Sequence, residues 1–207
     1  MFTFLRQSFK DFRNTGALAP SGLFLARAMV KSLPPIIPPD YQVLEVGPGT
    51  GAFTVELVRR MNGAGHLDLW EISPDFCQAL RERLITDPKL RQFAACVAVH
   101  EGDVRNLKVC AKYDAIISGL PFNNFEPREV REFLEHFRAL LKPRGILVWF
   151  EYVAIRRIQT PFVGRARRER LKGIGDVTLH FTRKHQFKQQ IVPINFPPAR
   201  VRHLTFG

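Results

Sequence analysis

The chain lacks the features that would place it in a secreted, metal-built or membrane-spanning class. Only three cysteines, Cys77, Cys96 and Cys110, occur in 207 residues. They are odd in number, widely spaced and without a C-x-x-C pair. That reads against a disulfide framework and structural zinc, and for a reducing compartment. The six histidines have no ligand spacing, so no metal is expected. No apolar run approaches the ~18 residues needed to span a bilayer. The phenylalanines near the N-terminus are interrupted by Arg6, Lys10, Asp11 and Arg13, which reads against a signal peptide. There is no internal repeat or low-complexity tract. The expected location is cytoplasmic, in solution or peripherally on the inner face of a membrane.

Acid is also scarce at the two ends, and this unevenness is informative. The formal net charge is +12. Residues 36–152 carry fourteen Lys/Arg against sixteen Asp/Glu, whereas residues 1–35 have an excess of four positive charges and residues 153–207 an excess of ten. A near-neutral centre with basic ends suggests a polyanionic surface as partner, either nucleic acid or an anionic membrane. Phe2, Leu5, Phe9 and Phe12 fall at helical spacing with Arg6 and Lys10 between them, a pattern that can lie in a membrane interface or pack on the domain's own core. Residues 1–35 read as an amphipathic helical extension. Its second helix opens near Ser21, carries Leu23, Ala26 and Val30 on one side, and ends at a proline-rich connector.

An apolar content of 45% supports one domain over residues 36–207. Its centre is Val43-Leu44-Glu45-Val46-Gly47-Pro48-Gly49-Thr50-Gly51, an apolar strand running into a glycine loop and then a helix over Ala52–Met61. Such a loop lets backbone approach a ligand closely and offers exposed amides to a negative group. Strands are then expected over Gln42–Val46, His66–Glu71, Ala95–His100, Tyr113–Ser118 and Ile146–Tyr152. Helices alternate with them, notably from Pro74 to about Leu84 and over Pro127–Leu141. That alternation predicts an α/β, Rossmann-like, mostly parallel sheet with helices on both faces. Arg156–Lys172 reads as basic and partly helical. Gln186–Ile194 and Arg200–Thr205 read as an antiparallel pair on the far edge of the sheet.

The glycines alone also satisfy a dinucleotide fingerprint. Three acids narrow the reading: Glu45 before the loop, Glu71 at the end of the second strand, and Asp103 after the third. In a doubly wound sheet these strand ends converge on one crevice, where carboxylates can take ribose hydroxyls and an adenine amino group. Together with Glu45-x-Gly47-x-Gly49-x-Gly51 they resemble the motif series of class I S-adenosylmethionine-dependent methyltransferases. The resemblance implies seven strands, with the last pair antiparallel. It also implies S-adenosylmethionine held by Glu45, Gly47, Gly49, Gly51, Glu71, Ile72, Asp103, Val104 and Ser118.

For the acceptor, Ser118-Gly119-Leu120-Pro121-Phe122 stands where amino-directed methyltransferases carry a polar-x-Pro-aromatic motif. It resembles the Asn-Leu-Pro-Tyr of ribosomal RNA adenine dimethylases, except that Gly119 removes the side-chain acceptor and Phe122 replaces tyrosine. The resemblance to bacterial phosphatidylethanolamine N-methyltransferases runs over nearly the whole chain. It includes Thr15-Gly16-Ala17-x-Ala19-Pro20-Ser21, the glycine loop, Ser118–Pro121 and Asn195-Phe196-Pro197-Pro198-Ala199-x-Val201. It implies methylation of a phosphatidylethanolamine headgroup towards phosphatidylcholine on an anionic membrane surface. Gly119, Leu120, Pro121 and Phe122 would form the acceptor site, and Glu151 and Tyr152 would guide the amine. Phe2, Leu5, Arg6, Phe9, Lys10 and Phe12 would contact lipid. Methylation of an RNA adenine at N6 is the alternative.

Overall fold

Five parallel strands pair side by side along their apolar runs. A computed structural model describes residues 20–153, 164–195 and 197–207. The strands are β1 (Gln42–Val46), β2 (His66–Glu71), β3 (Val97–Glu101), β4 (Tyr113–Ser118), β5 (Leu141–Tyr152), β6 (Gln186–Val192) and β7 (Ala199–Thr205). They form one seven-stranded sheet in the order β3-β2-β1-β4-β5-β7-β6. Val46 pairs with Trp70 on one side and Ser118 on the other, and Glu71 pairs with Glu101. The carboxyl ends of β1 to β4 are therefore level, and the reversal of strand order between β1 and β4 opens a crevice above them. β7 runs antiparallel to both β5 and β6. The expected Rossmann-like fold, with its antiparallel far edge, is what the chain adopts.

Helices cover both faces. α1 (Pro20–Val30), α2 (Ala52–Met61) and α3 (Pro74–Thr86) lie on one, with the short α4 (Pro88–Arg91) following. Phe53, Leu57, Val58 and Met61 of α2 meet Ala26 and Met29 of α1 and Val43 and Leu69 of the sheet in a single core. α5 (Pro127–Leu140) and α6 (Arg165–His185) cover the other face. There Val130, Phe133, Leu134 and Phe137 recur at helical spacing and are buried with Ile116, Leu147 and Trp149. α5 starts cleanly: proline occupies its first position, and the Glu126 amide donates to the Glu129 carboxylate at 2.9 Å.

Several boundaries differ from the sequence expectation, each for a local reason. β3 begins at Val97 because Ala94–Cys96 closes a 3-10 turn. α5 ends at Leu140, and Lys142–Gly145, between the expected helix and strand, continues as strand. The pairing with β4 steps from Tyr113↔Leu141 to Ala115↔Ile146, while the Arg144 amide donates to the Phe206 carbonyl at 2.9 Å. α1 begins at Pro20, and Leu23, grouped with Ala26 and Val30 on one side, is 41% exposed; Leu25, Ala28 and Met29 form the buried face with Ala26 and Val30. α6 runs to His185, through Gly173 and Gly175, well past Lys172. The stripe Phe2, Leu5, Arg6, Phe9, Lys10 and Phe12, the segment Thr15–Ala19 and Phe196 lie outside the described residues.

Candidate active site

The loop after β1 turns through three left-handed glycines, Gly47 (φ 66°), Gly49 (φ 56°) and Gly51 (φ 80°), a conformation costly for any side chain. Its path is held from beneath. The Gly47 amide donates to the Trp70 carbonyl at 2.9 Å, and the Gly49 amide to Glu71 Oε2 at 3.0 Å. The second Glu71 oxygen accepts from the Ser73 amide at 2.9 Å. Arg83 donates to the Thr50 carbonyl and is itself paired with Asp87 at 2.6 Å. Glu71 thus ties the loop to the start of α3. Burial pushes the Glu71 carboxyl above its ordinary value, partly offset by those backbone amides.

Glu45, expected to hold the cofactor, is not in the lining of the cavity above the strand ends. It is fully buried, accepts from Thr54 Oγ1 at 2.7 Å through one oxygen, and has no partner for the other. Burial, with the nearby charge of Glu71 adding to it and Thr54 opposing, pushes its carboxyl up to about 8. A carboxyl so placed is neutral at neutral pH unless a positive group arrives.

Above the strand ends is a cavity of about 280 Å³, at the lower end of the size of small-molecule sites. Gly47, Glu71, Ile72, Asp103, Val104 and Leu120 line it, so six of the sequence-assigned residues converge there. Asp103 accepts three hydrogen bonds from the Arg105 side chain and one from its amide at 2.9 Å. Against the burial that would raise it, those bonds hold its carboxyl below the ordinary range. Arg105 lies 5.1 Å from the centre of the Phe133 ring.

The remaining wall was not assigned by sequence reading: Val46, Trp70, Gly102, Arg105, Asn124, Phe125, Glu126, Glu129, Phe133 and Arg170. Phe125 and Phe133 meet edge to face at 5.1 Å. Phe122, expected as the aromatic wall, instead packs 6.0 Å from Trp149 within the core and is 3% exposed. The signal was there in Phe125, three residues later, but a motif read as a string does not say which ring faces the crevice. Pro121 and Ser118 are not in the cavity lining. Glu151 is held by Arg202 at 2.8 Å and Trp149 at 3.4 Å, away from the cavity. Tyr152 stands edge-on to Phe150 at 5.2 Å, its hydroxyl pushed up to about 12 by burial.

Gly119 is decisive in another way. A Cβ there would sit 2.6 Å from the Gly47 carbonyl oxygen and 3.3 Å from that of Val46. The β4 turn and the glycine loop touch backbone to backbone, and this position has no room for an asparagine side chain.

A profile described as a methyltransferase domain matches residues 43–145. The ornithine lipid N-methyltransferase of Singulisphaera acidiphila is 31% identical over 150 residues, covering 70% of this chain and 73% of that one. Among solved structures, an O-methyltransferase from Bacillus cereus in complex with SAH aligns over 99% of this chain and 91% of its own, with a TM-score of 0.64 and 14% identity. P. horikoshii TYW2 in complex with MeSAdo aligns over 91% of this chain but 64% of its own longer length, with a TM-score of 0.62 and 15% identity.

Proposed function

The chain belongs to the S-adenosylmethionine-dependent methyltransferases, and on that premise we propose that it methylates the amine nitrogen of a membrane lipid. The acceptors in this reading are phosphatidylethanolamine and its mono- and dimethyl forms, with phosphatidylcholine as the end product. The observation that carries it is the extent of the likeness to the ornithine lipid enzyme, which exceeds the segment matched by the general domain profile.

The residues present suit the cofactor. Glu71 lines the cavity where ribose hydroxyls could reach it, Asp103 lies at the next strand end, and Trp70, Ile72 and Val104 offer apolar walls to a base. The orphaned oxygen of buried Glu45 favours a positive group near the loop. When bound, S-adenosylmethionine supplies an electrophilic methyl group on a sulfonium. An amine accepts it only through its lone pair, so the acceptor must lose its proton. Burial among Phe125, Phe133 and Leu120 disfavours the charged ammonium and excludes water, and an amine near pKa 10 is thereby drawn towards neutrality. Positioning and desolvation carry the chemistry in this scheme, with no nucleophile on the protein.

An anionic membrane surface is the proposed partner and the inner face of the membrane the proposed location. The basic excess after residue 152 supports this, and no helix among the described residues is long and apolar enough to cross a bilayer. Methylation of an RNA adenine is disfavoured by Gly119, where the backbone contact leaves no room for the side-chain acceptor that such enzymes present.

The test is incubation with methyl-labelled S-adenosylmethionine and vesicles containing phosphatidylethanolamine or ornithine lipid, products being separated by headgroup. Labelled mono- and dimethylated phosphatidylethanolamine is expected. Label only in ornithine lipid would move the acceptor while keeping the lipid class. Label in RNA and in neither lipid would overturn the reading.

A further inference from the structure

Most charged groups around the cavity are engaged by backbone amides or by one another. Glu71 holds the glycine loop, Arg105 is consumed by Asp103, and Glu129 accepts from the Glu126 amide. Arg170 is different. It projects from α6 into the cavity wall, where its Nε is buried and has no hydrogen-bond partner among the described residues. Its ion pair with Glu126, Nη1 to Oε1 at 3.5 Å, is loose, and Glu126 is itself largely exposed.

The placement is built into the helix packing. One turn further along α6, Gly173 lies so close to α5 that a Cβ would stand 2.7 Å from Pro127 Cγ. That contact sets the first turns of α6 against the start of α5 and brings the Arg170 guanidinium to the mouth of a largely apolar cavity. A planar fork of donors there, partly desolvated and with a donor unspent, fits a bidentate oxyanion.

We infer that Arg170 binds the acidic group of the acceptor, a phosphodiester or a carboxylate joined to the amine by a short saturated chain. This deepens the amino-lipid reading and rests on it. Phosphatidylethanolamine carries a phosphate two carbons from its nitrogen, and ornithine lipid a carboxylate four carbons from its terminal nitrogen. Both present an oxyanion and an amine within one headgroup. Arg170 is thus a specificity-determining residue: it anchors the oxyanion at the mouth and leaves the amine to reach inward past Phe125.

The experiment compares wild type with Arg170→Gln and Arg170→Lys on three acceptors in mixed micelles: phosphatidylethanolamine, ornithine lipid, and a long-chain primary alkylamine without an oxyanion. Loss of a charge-assisted bidentate contact predicts that the preference for the zwitterionic lipids over the alkylamine falls about 10- to 100-fold in Arg170→Gln. The fall should lie mainly in KM and be partly recovered in Arg170→Lys. The affinity for S-adenosylhomocysteine should stay within about twofold. Whichever lipid shows the larger drop identifies the oxyanion source. If the variant merely lowers the melting temperature and leaves the preference intact, Arg170 is a packing residue and the inference is overturned. If wild type methylates no amino lipid, the functional reading fails, and this inference with it.

Discussion

Two buried titratable side chains pull the stability of this protein in opposite directions with pH. Glu45 is fully buried, and its carboxyl is raised from 4.5 to about 8, burial being the main cause. Below pH 4.5 it is protonated whether folded or unfolded and costs nothing on this account. Between 4.5 and 8 the unfolded chain releases a proton that the folded chain retains, so stability falls as pH rises and levels off above 8. His203 behaves oppositely. It is fully buried in β7, neither ring nitrogen has a hydrogen-bond partner among the described residues, and burial, aided by Lys188 and Lys31, lowers it from 6.5 to about 4. Its contribution is complete above 6.5 and lost as pH falls towards 4. The two windows overlap between 4.5 and 6.5, where the opposed slopes cancel, so stability without cofactor should be level there and fall on either side. Glu45→Gln should flatten the alkaline limb of a plot of melting temperature against pH, and His203→Leu the acidic limb. Unchanged limbs would mean that neither group is as desolvated as its burial suggests. Gly119→Asn is a sharper test of the loop contact. Its Cβ would meet the Gly47 carbonyl at 2.6 Å, so affinity for S-adenosylhomocysteine should drop at least about 10-fold, read by calorimetry.

α6 is the element where local and tertiary requirements disagree most. Its sequence carries Gly173 and Gly175 in mid-helix and four arginines near its start, with no acid in the first turn. Each interior glycine costs the helix roughly 1 kcal/mol, and positive charge at the N-terminus is unfavourable to the dipole. The helix forms because Leu171, Ile174, Val177 and Phe181 are buried against the sheet and α5. This is why a reading by local pattern stopped near Lys172. Gly173 is required by the approach to Pro127, a contact between segments far apart in sequence. β1, β2 and β4, by contrast, were legible to the residue because their apolar runs are short, bounded and self-contained. The site divides in the same way. Glu71, Ile72, Asp103, Val104 and Leu120 follow strands and could be placed by counting, whereas Trp70, Phe133 and Arg170 reach the cavity only through packing. Gly173→Val should force α6 away from α5. The expected cost is about 1–3 kcal/mol in urea unfolding, with a smaller loss for Gly173→Ala. A neutral Gly173→Val would mean that the contact yields freely and does not set the position of Arg170.

At the scale of the whole molecule, charge and shape point to one end. The turn after β6 follows Val192, which pairs with Ala199, itself opposite Tyr152 at the carboxyl end of β5. It therefore lies at the cavity end of the sheet, and it carries Ile194 at 61% exposure. The first turns of α6 rise beside the same cavity, with Arg165, Arg167 and Arg168 exposed. A lipid surface meeting this end would see basic residues and an apolar tip around the opening through which a headgroup must enter. Each cation near an anionic surface contributes roughly 1 kcal/mol, and screening by salt should erode that within a Debye length. Reversing three of them, as Arg165→Glu, Arg167→Glu and Arg168→Glu together, changes the local charge by six. It should weaken binding to phosphatidylglycerol-containing vesicles by at least 100-fold at low salt, measured by co-sedimentation, with the gap narrowing at high salt. Ile194→Ser should weaken binding to the same vesicles without altering its salt dependence, because it removes apolar insertion and leaves the field intact. Affinity for S-adenosylhomocysteine should be unchanged in both, since neither set lines the cavity. If the triple variant binds vesicles as wild type does, the docking end lies elsewhere, and the basic excess around α6 serves some purpose other than meeting a membrane.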